Sequence, residues 1–251
     1  MADTPIVQDR PSLEKAEIAH IENAVIDIHY MSPWECVLKN PKAVLWTIYV
    51  NLGSALVGYE NLALSVCLAL PAFQIKFASN VDGNLIIPAH WQSLWNAMFN
   101  VAQLLGSISA GFIQDKLGRC VVFLIAIIIV SGGTATAYVA ETPAQFMGAK
   151  MATGIAAGQI LTTTQTYVSE ITPLPMRGIA LSCNILMLNV GFLIAICTTY
   201  SRVHIMNESA FRVVFAAACA FPFILAVGLP FLPESPYWLV MKDKHDREPN
   251  R

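Results

Sequence analysis

The sequence predicts an all-α membrane protein with six transmembrane helices, and two observations carry that expectation. Hydrophobic residues make up 55% of the 251-residue chain and charged residues only 13%, about half the charged share of a soluble domain. Apolar runs long enough to cross a hydrocarbon core of about 30 Å recur six times, at about 43–70, 92–114, 120–140, 144–168, 178–200 and 211–232. Without water to bond the backbone, runs of this length span as helices.

Residues 1–42 form a polar tail that carries Pro5, Pro11 and Pro33 and lacks the basic region and short apolar core of a signal peptide. The first span then serves as its own insertion signal. Within the tail, Ile18, Ile21, Val25 and Ile28 recur at helical spacing. That pattern fits either a short amphipathic helix on the bilayer surface or a loosely ordered tail. Residues 71–90, with Gly83 and Pro88, form the first outer loop. The connections at 114–119 and 141–143 are short, which makes spans 2, 3 and 4 antiparallel neighbours. Small residues are dense at Gly106, Ser107, Ser109, Ala110 and Gly111 in span 2, and at Gly154, Ala156, Ala157 and Gly158 in span 4. In lipid, such positions let helix backbones approach closely. Residues 234–251 form a second, charged tail.

With the N-terminus inside, eleven lysines and arginines fall on the cytoplasmic side, against Lys76, Arg202 and Arg212 outside. This bias places both termini in the cytoplasm. A net charge of −2 argues against a nucleic-acid partner. Six cysteines without a CxxC pair read as small buried residues. The five histidines show no ligand spacing, and no Walker loop or dinucleotide fingerprint appears, so no cofactor, metal or catalytic activity is expected. Asn207-Glu208-Ser209 matches a glycosylation sequon in the outer loop between spans 5 and 6.

Glu60 stands out. It is a carboxylate in the middle of an otherwise almost uncharged span. An ionised side chain at that depth costs about 2.5–3.5 kcal/mol, so a chain that keeps one there has a partner or a task for it.

Three motifs at helix ends point to a family. Gly111-Phe112-Ile113-Gln114-Asp115-Lys116-Leu117-Gly118-Arg119 resembles the G-x-x-x-D-R-x-G-R loop between helices 2 and 3 of the major facilitator superfamily. Tyr167-Val168-Ser169-Glu170-Ile171-Thr172-Pro173, followed by Arg177-Gly178, resembles the Y-x-S-E-x-x-P-x-x-x-R-G signature of sugar porters. Pro233-Glu234-Ser235-Pro236-Tyr237-Trp238-Leu239 is similar to that family's P-E-S-P-R-W-L. Asn40-Pro41-Lys42-Ala43, Gly58-Tyr59-Glu60 and the threonine-rich 161–166 most resemble the fungal alpha-glucoside, maltose-type permeases.

The resemblance implies the N-terminal half of a major facilitator fold, built as 3+3 inverted helical repeats, with the sugar bound between two such halves. Asp115, Glu170 and Glu234 would pair with Lys116, Arg119 and Arg177 in a cytoplasmic latch that biases the transporter between its states. The structural alternative is a set of topology-setting charges in weak, solvated pairs. Glu60 takes the place of the acid that carries the proton in coupled members; desolvation favours the neutral form of a carboxyl group, which suits a proton carrier. Lys150 stands where many members have an arginine. Glu60 lies about 15 Å from the outer end of its span and Lys150 about 9 Å from that of span 4, a gap that two long side chains bridge. The alternative is a static pair holding two helices together.

Sugar-contact candidates are Asn51, Gln103, Gln159, Asn184 and Asn189, with Asn96 as a further amide and Tyr59 or Trp95 as stacking surfaces; each is also a candidate for a helix-to-helix hydrogen bond. Ile185 and Phe192 occupy positions where sugar porters commonly place amides, and Lys116, Cys120 and Tyr237 replace basic family residues. The transported species implied are a sugar and a proton, and the other partners are membrane lipid and a second half. Three readings follow: the N-terminal half of a sugar:proton symporter in the plasma membrane, inactive alone; a half-size regulatory subunit that pairs with full-length relatives; and a transporter-like sugar sensor.

Overall fold

The computed structural model describes residues 32–77, 79–81, 84–202, 209–235, 237, 238, 240 and 242. The expected helix at 13–28 and the sequon at Asn207 lie outside them.

Proline opens several helices. Pro33 begins α1 (Pro33–Lys39) and Pro41 begins α2 (Pro41–Leu68), with Asn40 between them donating its amide to the Cys36 carbonyl at 3.2 Å. Proline suits the first helical turn, where its missing N–H has no intrahelical role. The polar tail therefore ends in a helix, which the sequence reading did not anticipate.

After 28 residues, about 42 Å of helix, α2 ends, and α3 (Pro71–Phe77) leaves it at 76°. Pro71 explains the turn, because the residue before a proline is pushed out of helical geometry. A short antiparallel hairpin, β1 (Ser79–Val81) and β2 (Asn84–Ile86), pairs Ser79 with Ile86 and Val81 with Asn84. The expected outer loop thus carries a helix and a hairpin.

Two 29-residue helices follow the pattern of α2, namely α4 (Ala89–Leu117) and α6 (Pro143–Ile171), with α5 (Arg119–Val139) between them. Thr142 and Gln145 form a reciprocal capping box at the start of α6, which satisfies two backbone donors there. α7 (Leu174–Tyr200) precedes α8 (Ser209–Ala218), α9 (Ala220–Gly228) and a 3₁₀ turn (Leu229–Phe231). The sixth expected span is broken at Cys219. Pro222 gives the reason, since it lacks the N–H that would bond the Ala218 carbonyl.

Three stretches among the described residues are long and apolar enough to cross a membrane: Arg119–Val139, Leu174–Tyr200 and Phe211–Phe231. The bent pair α2–α3 makes a fourth. α4 and α6 have the length but dilute their apolarity with Gly, Ser, Thr and amide residues, and they do so where they pack against each other.

α2 lies at the centre, buried continuously from Gly53 to Glu60. It runs beside α7, while α6 packs against α4 and α5. A Cβ on Gly58 would overlap the Leu188 carbonyl, and one on Gly191 the Ala55 carbonyl. Gly106 and Gly158 meet the backbones of Ile155 and Gln103 in the same way, which realises the close packing read from the small residues. Gly111 is different and faces open space. The bundle has two ends, a near end where α2 begins and a far end where it finishes. The near core holds Val50, Phe123, Ile160 and Tyr167, and the far core holds Phe73, Trp95, Phe146, Phe211 and Phe215.

Candidate functional site: a buried ion pair and a charged cluster

Glu60 and Lys150 meet. The Lys150 Nζ donates to Glu60 Oε2 at 2.8 Å, and each side chain is 1% exposed. Glu60 is carried by the continuously buried stretch of α2, and Lys150 by the second turn of α6. The rings of Phe99 on α4 and Phe215 on α8 each lie 5.6 Å from the ammonium, within reach of a cation–π attraction. Glu60 Oε1 has no hydrogen-bond partner among the described residues. Two opposite charges removed from water repay their desolvation only in good geometry, and loss of either partner strands the other.

Aromatic side chains close the far side. Phe215 packs on Phe146 at 5.7 Å, and Phe146 on Trp95, Phe73 and Phe77 at 5.1, 5.4 and 5.7 Å. Phe73 and Phe77 come from α3, so the 76° bend places that helix across the far end of the bundle.

The second cluster sits at the near end, where α4 gives way to α5. Arg119 Nη2 donates to Glu170 Oε1 at 2.6 Å, and Nη1 to the Gln114 carbonyl at 3.1 Å. The Arg119 backbone N–H donates to Glu234 Oε2 at 3.3 Å, so that carboxylate sits on the N-terminus of α5, where the helix dipole favours an anion. Gly118 makes room for it. Its φ of +95° suits glycine, and a Cβ there would lie 2.9 Å from Glu234 Oε1. Tyr167 donates to the Pro233 carbonyl at 2.7 Å, and Trp238 Nε1 to the Asp115 carbonyl at 3.1 Å.

Of the six residues expected in the latch, the structure brings together Arg119, Glu170 and Glu234. Asp115 and Lys116 are exposed, and Arg177 is half-buried. None of these three joins an ion pair among the described residues.

The sugar-contact candidates scatter. Asn184 is buried and donates to Ser54 Oγ at 2.7 Å, a helix-to-helix bond between α7 and α2. Gln159 Nε2 donates to Ser109 Oγ at 3.3 Å, while its Oε1 and the side-chain N and O of Asn51 are buried without partners among the described residues. Gln103 is half-buried. Asn189 and Asn96 are exposed and bond back to the carbonyls of Ile185 and Gln92. Tyr59 and Trp95 are core residues rather than open stacking surfaces. Both are 0% exposed, and their polar tips donate to the carbonyls of Val214 and Pro143.

Sequence reasoning missed Phe99 and Phe215, because a phenylalanine in an apolar helix carries no mark of what it faces. Gly118 stood in the quoted motif, and its backbone role appears only with Glu234 in place.

The fold and the buried charges define a multi-pass helical membrane protein. The sugar (and other) transporter family model matches residues 46–250, and the chain belongs to that family. It is 29% identical over 213 residues to the general alpha-glucoside permease of Saccharomyces cerevisiae, covering 84% of this chain and 35% of that protein. With the MFS transporter fmqE of Aspergillus fumigatus it shares 26% over 228 residues, 86% of this chain and 42% of the relative. With the glucose transporter GlcP of Staphylococcus epidermidis it shares 31% over 202 residues, 79% and 42% respectively. The chain thus spans well under half the length of these relatives.

Among solved structures, the proton:xylose symporter XylE bound to 6-bromo-6-deoxy-D-glucose superposes with a TM-score of 0.71 at 20% identity. That match covers 81% of this chain and 47% of XylE. The inward-open form of XylE from E. coli gives 0.67 at 21% identity, over 80% and 50%. The fold is that of the major facilitator superfamily, and this chain resembles its N-terminal half.

Proposed function

We propose that this chain forms the six-span, 3+3-repeat N-terminal half of a plasma-membrane sugar transporter that works by proton symport with alternating access. The observation that carries the reading is the Glu60–Lys150 pair, buried at 1% exposure in the centre of the bundle. Protonating Glu60 removes the charge that holds Lys150, and so loosens α2 from α6. The family match and the likeness to an alpha-glucoside permease, a glucose transporter and a proton:xylose symporter support sugar as the cargo and a proton as the coupling ion.

In this reading residues 43–233 are the membrane unit, residues 1–42 and 234–251 lie in the cytoplasm, and the near end faces inward. Arg119, Glu170 and Glu234 are the working part of the latch, with Asp115, Lys116 and Arg177 around it. Gln103 and Asn189 keep side-chain surface for a sugar, and Asn51 and Gln159 offer buried amide groups behind it. Asn184 is committed to Ser54.

The test is labelled-maltose and labelled-glucose uptake in transport-null yeast. The chain would be expressed alone and joined to the second half of the general alpha-glucoside permease. Uptake by the joined protein, stimulated by external acid, is expected, with none from the chain alone. In the joined protein Glu60→Gln should abolish acid-driven accumulation and leave sugar exchange intact. Unchanged dependence on pH in that variant would reject the coupling role. Robust uptake by the chain alone would reject its being half of the machine.

A further inference from the structure

We propose that Phe99 and Phe215 are positioning residues that keep the Lys150 ammonium in place while Glu60 is neutral; this rests on the coupling role proposed for Glu60. A buried lysine that loses its counter-charge has three outcomes open to it. It can shed its proton, swing out to water, or find another source of negative potential. Lys150 has the third beside it. Its side chain is 1% exposed, and of its three N–H groups one is bonded to Glu60 Oε2. Two phenyl faces lie 5.6 Å from the same nitrogen. At that distance, near the outer limit of cation–π attraction, the rings contribute little while the carboxylate holds the ammonium. They contribute more once the ammonium is released and settles onto them. No step moves a second proton.

Both rings are held independently of the ion pair. Phe215 is stacked on Phe146 at 5.7 Å within the far aromatic cluster. The Phe99 carbonyl abuts Gly154, one turn beyond Lys150 on α6, so closely that a Cβ at 154 would lie 2.6 Å from it. The cradle and the charge are therefore fixed to the same stretch of α6.

Among the described residues no other charge is placed to take over. Lys150 apart, α4, α5, α6 and α7 carry charged or histidine side chains only in their terminal turns, at His90, Asp115 and Lys116, at Arg119, at Glu170 and at Arg177. Arg212 of α8 lies over the Tyr138 ring at 5.6 Å, and Lys76 of α3 over Phe211 at 5.4 Å. On α2 itself the neighbours are Tyr59 and Cys67, and Tyr59 is bonded to Val214.

A thermal-stability cycle on the purified chain tests this without transport. Phe215→Leu and Phe99→Leu are measured in three backgrounds: native, Glu60→Gln, which imitates the protonated acid, and Glu60→Gln with Lys150→Met, which has no ammonium. Each ring loss is expected to lower Tm modestly in the native background and by at least twice as much in the Glu60→Gln background. In the double variant, where the ammonium is gone, the loss should return to the native amount or less. Equal losses in all three backgrounds, or a smaller loss with Glu60→Gln than in the native chain, would overturn the proposal and leave the rings as packing alone. Phe215→Trp, which keeps an aromatic face, should retain the Glu60→Gln Tm. Should Glu60→Gln with Phe215→Leu fail to fold, recovery of folding by Lys150→Met supports the cradle, and continued failure overturns it. The cycle needs no sugar or gradient, so its outcome is separate from that of the uptake experiment.

Discussion

Arg119 and Gly118 share one structural problem, which is how to seat two carboxylates at the start of α5. Arg119 answers for Glu170 through its guanidinium and for Glu234 through its backbone N–H, with side-chain exposures of 6% for Arg119 and 12% for Glu170. Arg119→Gln should therefore cost about 3 kcal/mol, the range for stranding a buried charge, read as a lowered Tm of the purified chain. Gly118→Ala should cost about 1–2 kcal/mol, because a side chain is disfavoured at φ +95° and its Cβ would press on Glu234. Equal stability of the alanine variant would show that neither the backbone at φ +95° nor the Glu234 carboxylate constrains this position. The motif containing both residues was legible in the sequence, but its pairing was not. Arg177 has the same charge as Arg119 and also lies near the start of its helix, yet of the two only Arg119 reaches a carboxylate among the described residues. Spacing along a chain gives the depth of a charge and leaves its direction open.

Close approach of helices turns on which face a glycine occupies, and the small-residue pattern alone does not reveal that. Gly106 and Gly111 stand five residues apart on α4, but Gly106 meets the Ile155 backbone and Gly111 meets nothing. We expect Gly106→Ala to separate α4 from α6 and cost about 2 kcal/mol, at the scale of overpacking. Gly111→Ala should gain about 0.5–1 kcal/mol from helix propensity. Paired Tm measurements check both, and a loss at Gly111 would contradict its open surroundings. The helices themselves were largely legible, because hydropathy and proline positions mark where apolar runs start. What was not legible arose from local chemistry inside those runs. Pro222 breaks the sixth span into α8 and α9, and Pro71 bends the chain from the end of α2 into α3. The burial of Tyr59 and Trp95 was not legible for a related reason: an aromatic side chain with a polar tip suits a binding surface and a buried carbonyl equally well.

At the scale of the whole molecule the near-end cluster ties three separate parts together: the α4–α5 turn, the end of α6, and the segment after α9. On the proposed orientation this is the cytoplasmic mouth, and a pair formed in one state and broken in another shifts the equilibrium by its differential energy alone. Cys120 reports on the tie. It is partly buried, and its thiol donates to the Leu232 carbonyl at 3.6 Å, directly beneath the segment that Glu234 anchors. In the joined transporter, with the other cysteines replaced by serine, Glu170→Gln should raise the rate at which a membrane-permeant maleimide modifies Cys120. A loss of about 1.4 kcal/mol in latch energy corresponds to roughly a tenfold rise. Glu60→Gln, which acts at the buried pair near the middle of the bundle, should change that rate as well if the pair and the latch bias the same two states. A rise with Glu170→Gln and none with Glu60→Gln would mean that the two charge clusters work independently. No change with either would reduce the cluster to a static tie between helix ends.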